Sequence, residues 1–145
     1  MVKMKGKVFL AITLVLASFL LVMPLVGCGG KVSFTTASLS EATMCTAVDE
    51  NSRPLDNTDV FSVNAPQIVC SVKLSNAPDD TAVKAEWYYV EGETDHYITE
   101  YELTADGTRY LNFSLNSDTA WPTGDYKIVL YIDGKETLTV PFTVE

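Results

Sequence analysis

From residue 67 onward, large apolar side chains recur at every second position, and that period is the pattern of a strand buried on one face. In QIVCSVKL (67–74), Ile68, Cys70, Val72 and Leu74 share a face, while Gln67, Ser71 and Lys73 take the other. AVKAEWYYV (82–90) sets Val83, Ala85, Trp87 and Tyr89 against Lys84, Glu86 and Tyr88. YLNFSL (110–115), YKIVLYI (126–132) and TLTVPFTV (137–144) repeat the pattern. Asp133-Gly134 separates the last two runs and suits a type I′ hairpin, because both residues tolerate positive φ. Asn76-Ala77-Pro78, Asp106-Gly107 and WPTGD (121–125) mark further boundaries. Pro141 lacks an amide hydrogen, so its run belongs at a sheet edge or a bulge. No segment after residue 30 carries a helical period. Short strands at this spacing predict an all-β fold, an antiparallel β-sandwich of about seven strands.

The N-terminus is of another kind. Lys3, Lys5 and Lys7 precede an apolar run from Val8 to Val26 that carries no acid, the layout of a helical secretory signal peptide. A transmembrane helix is the rival, since the run is about long enough for a bilayer core of ~30 Å. LVGC at Leu25–Cys28, followed by Gly29-Gly30, resembles the lipobox of bacterial lipoproteins. That resemblance implies cleavage before Cys28 and a diacylglycerol on its thiol, with the domain lipid-anchored on the extracytoplasmic face of a cell membrane or outer membrane. Acyl chains contribute roughly 0.8 kcal/mol per buried methylene, so two or three hold firmly. The chain then divides into a signal peptide (1–27), a tether (28–42, with a first strand expected near 32–36) and a β domain (43–145).

The processed chain would hold seven basic residues against all nineteen acids, a net charge of −12. Such a surface opposes phosphate backbones, so no nucleic-acid partner is expected. It also keeps the domain off anionic lipid. With Cys28 acylated, Cys45 and Cys70 remain, and outside the cytoplasm an even pair is a candidate disulfide, with two buried free thiols as the alternative.

A second resemblance rests on inward Cys70, inward Trp87 and GDYKIVLYIDGKETLTVPFTV (124–144). Their order is similar to strands B, C, F and G of immunoglobulin-like bacterial domains. Antibody-type domains carry a second cysteine on strand F, where this chain has Tyr126. The resemblance implies a fold and carries no activity.

Catalytic signals are sparse. His96, the single histidine, lies in EGETDHY (91–97), read as an exposed connection, and no G-x-S-x-G occurs. The carboxylates fall on turns and outward positions, and nothing gathers them into a cleft. DENSRPLDNTD (49–59) is rich in oxygen ligands but lacks the EF-hand spacing. No enzyme, metal or cofactor is therefore expected. Tyr88, Val129 and Tyr131, on outward positions of neighbouring strands, form a candidate binding face that Trp121 would extend. The function expected is a non-enzymatic interaction module of the cell envelope, bound to the membrane by its lipid and to a protein or glycan by this face. The alternatives are a carbohydrate-binding or calcium-dependent adhesion module, and a small envelope hydrolase or protease-inhibitor-like protein.

Overall fold

The computed structural model describes residues Thr35–Glu145, all of whose regular structure is strand. Cys28 and the 1–27 segment lie outside the described residues. Seven strands follow in chain order: β1 (Ser38–Val48), β2 (Pro54–Asn57), β3 (Val60–Phe61), β4 (Gln67–Glu91), β5 (Thr94–Asn116), β6 (Gly124–Ile132) and β7 (Lys135–Val144). They run β2-β1-β4-β6-β7-β3 across a single sheet, with β5 paired to β4 off that path. Every pairing is antiparallel except β3 with β7, so the sheet is mixed and not the purely antiparallel pair of sheets expected.

The two longest strands explain how one sheet encloses a core. At about 3.3 Å per residue, a straight β4 would run roughly 80 Å, far beyond the size of a domain this small. It bends instead. Asn76 and Asp80 take positive φ (53° and 60°), and the β4–β5 register shifts on both sides of Ala77. Gly107, at φ 67°, sits opposite Ala77. The turn residues near 76 and 106 thus curl a continuous ribbon and do not end its strands. Before the bend β4 pairs with β1; after it, with β6; β5 follows along its other side throughout.

The curl brings one face of both halves together. Ile68, Cys70, Val72 and Leu74 join Val83, Ala85 and Trp87 in one apolar cluster, closed by Ile128, Leu130 and Phe142. Trp87 meets Phe142 edge-on at 5.9 Å, and Tyr126 stacks on Phe142 at 5.3 Å. Fully burying side chains of this size contributes on the order of 1.5–3 kcal/mol each. The Tyr126 hydroxyl donates to the Pro122 carbonyl at 2.6 Å, so the phenol is buried without an unmet donor.

Three features differ from the expectations: a boundary, a register and the state of two cysteines. The first described strand begins at Ser38, inside the expected tether, and runs on to Val48, while most of the strand expected near 32–36 lies outside the described residues. Glu41, at φ 51°, introduces a register shift between Ser40 and Thr43 that breaks the period of two. Cys45 and Cys70 are free thiols and not a disulfide. Met44 stands opposite Cys70 and Cys45 opposite Val69, so the two cysteines occupy opposite faces of adjacent strands.

Candidate binding surface

The face expected from the sequence is assembled only in part. Tyr88 pairs with Lys127, Glu86 with Val129, and Lys84 with Tyr131 across the β4–β6 ladder. The hydroxyls of Tyr88 and Tyr131 both donate to Glu86 Oε2, at 2.6 and 2.7 Å. Lys84 Nζ sits 2.8 Å from the same carboxylate and 4.6 Å above the Tyr131 ring. Lys84 first, then the two phenols, hold the Glu86 carboxyl down at about 2. Glu86 in turn raises Tyr88, Tyr131 and Lys84 above their ordinary values. The polar tips are thus committed to one another, which leaves this face little to offer a ligand.

Two of its expected members are not open to a ligand on this face. Val129 shares the face of its partner Glu86 but is covered there, 5 % exposed. Trp121 belongs to the core cluster, where its indole donates to the Ala65 carbonyl at 2.7 Å. Its turn folds inward because Trp121 N–H also bonds the Val63 carbonyl.

What the sequence reading missed is the outer edge of β5. Among the described residues this strand pairs with β4 alone, so none of them forms a strand along its other side. Tyr97, Ile98 and Tyr101 are 57 %, 39 % and 48 % exposed, three of the five large apolar residues so exposed among those described. Residues 91–106 hold six acids, Glu91, Glu93, Asp95, Glu100, Glu102 and Asp106, and no Lys or Arg. The signal was present in DHYITEYEL (95–103), but an edge strand wet on both faces shows no clean alternation.

The local geometry follows from a bulge. Trp87 pairs with Thr99 and Tyr88 with Tyr97, which leaves Ile98 as the extra residue. Tyr97 packs edge-on against Tyr88 at 6.0 Å. Glu100 lies opposite Glu86, a like-charge pair that Lys84 bridges at 2.8 and 4.0 Å. His96 is on this strand and not in a loop; its Nε2 is 3.1 Å from the Glu91 carboxylate.

Beside Ile98 opens a cleft of about 410 Å³ lined by Tyr89, Ile98, Ala120, Trp121, Pro122 and Tyr126, with Ser117 and Thr119 completing it. Tyr89 reaches across to donate to the Thr123 carbonyl at 3.1 Å. Among the described residues, no group of three or more His, Cys, Asp or Glu side chains gathers to hold a metal. In the 49–59 loop, Asp49 Oδ1 is taken up by the amides of Asn51 and Arg53, at 2.8 and 2.9 Å.

No protein-family model matches the chain, and no curated protein matches it. Among solved structures it is similar to an alkylpurine DNA glycosylase, AlkC of Pseudomonas fluorescens, bound to DNA containing an abasic site analog. The identity is 12 %, the TM-score 0.47, and the match covers 75 % of this chain and 30 % of that one. The chain thus spans less than a third of the glycosylase's length. Two expectations are corrected against this finding: the lipid-anchored, non-enzymatic interaction module, and the exclusion of a nucleic-acid partner. That protein is a DNA glycosylase bound to DNA. A likeness this distant carries no argument for what this chain itself binds.

Proposed function

We propose that the chain captures an extended, basic polypeptide segment by adding it as a further strand along β5. The observation that carries this reading is the outer side of β5, unpaired among the described residues, where exposed Tyr97, Ile98 and Tyr101 stand among acids with no Lys or Arg between 91 and 106. Strand addition supplies main-chain hydrogen bonds to any sequence, and alternate side chains supply selectivity. Charges on an open edge normally guard it against self-association. Here Asp95, Glu100 and Asp106 pair with Lys127, Lys84 and Arg109, and the other three acids leave the edge net negative, which disfavours a second copy and favours a lysine- or arginine-bearing strand.

The curled sheet supports an immunoglobulin-like reading of the fold. Its support is the inward Trp87 and the bond from the Tyr126 hydroxyl back to Pro122, a feature of the corner before strand F in such domains. The Leu25–Cys28 motif supports acylation of Cys28 and a place on the outer face of a membrane. Metabolic labelling with a palmitate analogue tests it, with Cys28→Ala abolishing the label; label that persists in the variant rejects it.

A labelled ten-residue peptide alternating Lys and Val tests the edge reading by fluorescence anisotropy on the full chain. Binding is expected to weaken with salt, to fall in Glu100→Lys/Glu102→Lys, and to slow hydrogen exchange along Thr94–Ala105. Equal binding of an alternating Glu–Val peptide overturns the reading. So does tighter binding of single-stranded oligothymidine.

A further inference from the structure

Ile98 belongs to two features at once. It is the extra residue of the β5 bulge, and it forms part of the wall of the aromatic cleft. Bulges re-aim a side chain out of the regular pleat, and this one sits where the open edge meets the cleft.

The cleft is held in shape before any ligand arrives. Each of its three aromatic walls has its polar tip engaged elsewhere: Tyr89 on the Thr123 carbonyl, Trp121 on the Ala65 carbonyl, and Tyr126 on the Pro122 carbonyl. Tyr89 and Tyr126 also fix each other, with ring centroids 5.0 Å apart and planes 78° from parallel. What remains for a ligand is ring surface and aliphatic surface, with the hydroxyls of Ser117 and Thr119 beside it. Its 410 Å³ falls toward the lower end of ordinary small-ligand sites, which run about 300–1,000 Å³. That is room for a side chain and not for a large cofactor.

We propose that this cleft is the anchor pocket of the β5 edge and receives one aromatic side chain, of the indole or phenol type, from the captured basic strand. The inference rests on the edge reading and adds the residue that fixes the strand's register. Three observations select this occupant. The walls are aromatic, and aromatic rings prefer edge-to-face or offset contact with another ring. Glu91 and Glu93 lie in the hairpin segment that leads into this part of β5, beside an Asp95 paired with Lys127, so the strand that reaches the pocket is met by net negative charge. The polar groups of the walls are already paired, so a charged anchor would find no counter-ion inside.

The test uses two Lys–Val alternating peptides that differ at one central position, Trp in one and Ala in the other. The Trp peptide is expected to bind the full chain about ten-fold more tightly, equivalent to roughly 1.4 kcal/mol. Ala120→Trp fills the cleft from an exposed position and is expected to erase that advantage while leaving the Ala peptide's affinity unchanged. Thermal melting of the variant verifies that it is folded, and Ala120→Ser retains the ten-fold difference. If the two peptides bind the wild-type chain equally and with salt dependence, the pocket inference fails and the edge reading stands. If the advantage survives Ala120→Trp, the anchor lies elsewhere. If neither peptide binds, the edge reading fails and this inference falls with it.

Discussion

Cys45 lies opposite Val69, one residue out of step with Cys70, so the two thiols face away from each other across the β1–β4 ladder. Both are buried, and burial first, with Cys45 as a lesser cause, pushes the Cys70 thiol up to about 12. Neither is expected to react with iodoacetamide in the native chain, and both are expected to react in denaturant without prior reduction. Peptide mapping by mass spectrometry checks this; a Cys45–Cys70 linked peptide would refute the register. Cys70→Ser places a hydroxyl in the apolar cluster and is expected to cost about 1–3 kcal/mol. Cys45→Ser costs less, because Cys45 Sγ already lies 3.7 Å from the Val69 carbonyl, an acceptor the hydroxyl can use.

The Glu86 network sets a pH range for stability. Its folded carboxyl is held down at about 2, first by Lys84 and then by Tyr88, against an ordinary value near 4.5. Its contribution is therefore present above about pH 4.5 and is lost as pH falls toward 2. Tyr88 and Tyr131 are raised above 10, chiefly by the same carboxylate. The unfolded chain ionises these phenols first, so stability also declines above about pH 10. Urea unfolding across pH should show Glu86→Gln with flatter limbs at both ends and about 1–3 kcal/mol less stability at neutral pH. Limbs of unchanged steepness would mean that Glu86 is not the group responsible.

Gly124 is held at φ 139°, and a Cβ there would meet Tyr89 Oη at 2.8 Å and Cε2 at 3.0 Å. Gly124→Ala combines backbone strain with displacement of a ring that walls the cleft, an expected cost of about 1–3 kcal/mol. Gly134, at φ 82°, has open space around its added Cβ, so Gly134→Ala carries the strain alone. Thermal melts of the two variants should rank Gly124→Ala as the more destabilised. The reverse order would show that Tyr89 moves freely.

The elements legible in the sequence are those whose large apolar residues keep a period of two. The two halves of β4, the second half of β5, and β6 and β7 do so, although Val69, Ser71 and Val129 on the other face are buried as well, and Asp133-Gly134 turns with φ of 47° and 82° where a type I′ hairpin needs them. The rest was hidden for separate physical reasons. At β1 the Glu41 bulge shifts the parity, so Leu39 and Met44 no longer read as one face. At Asn76 and Gly107 the chemistry that usually ends a strand serves to bend one. The first half of β5 has water on both faces and therefore no period. Val129 shows the limit from the other side: parity gives the face a residue takes, while its burial there follows from its neighbours across two ladders, Glu86 and Thr139, which no single strand's pattern reveals.

The acidic 49–59 loop has a structural role that can be separated from ion binding. Asp49 Oδ1 accepts the Asn51 and Arg53 amides and shapes the turn that holds Ser52 at φ 63°. From there the Ser52 carbonyl accepts the hydroxyl of fully buried Ser71 at 2.6 Å, and the Ser52 hydroxyl accepts the Asn112 amide at 2.8 Å. Asp49→Ala removes the acceptor that sets this turn and leaves Ser71 with a poorer partner, at an expected cost of about 1–2 kcal/mol. Asp49→Asn keeps a side-chain oxygen in place and should recover most of that loss. Calcium is expected to leave the melting temperature of the wild-type chain unchanged. If calcium instead stabilises the wild-type chain and has no effect on Asp49→Ala, the carboxylate serves an ion before it serves the turn.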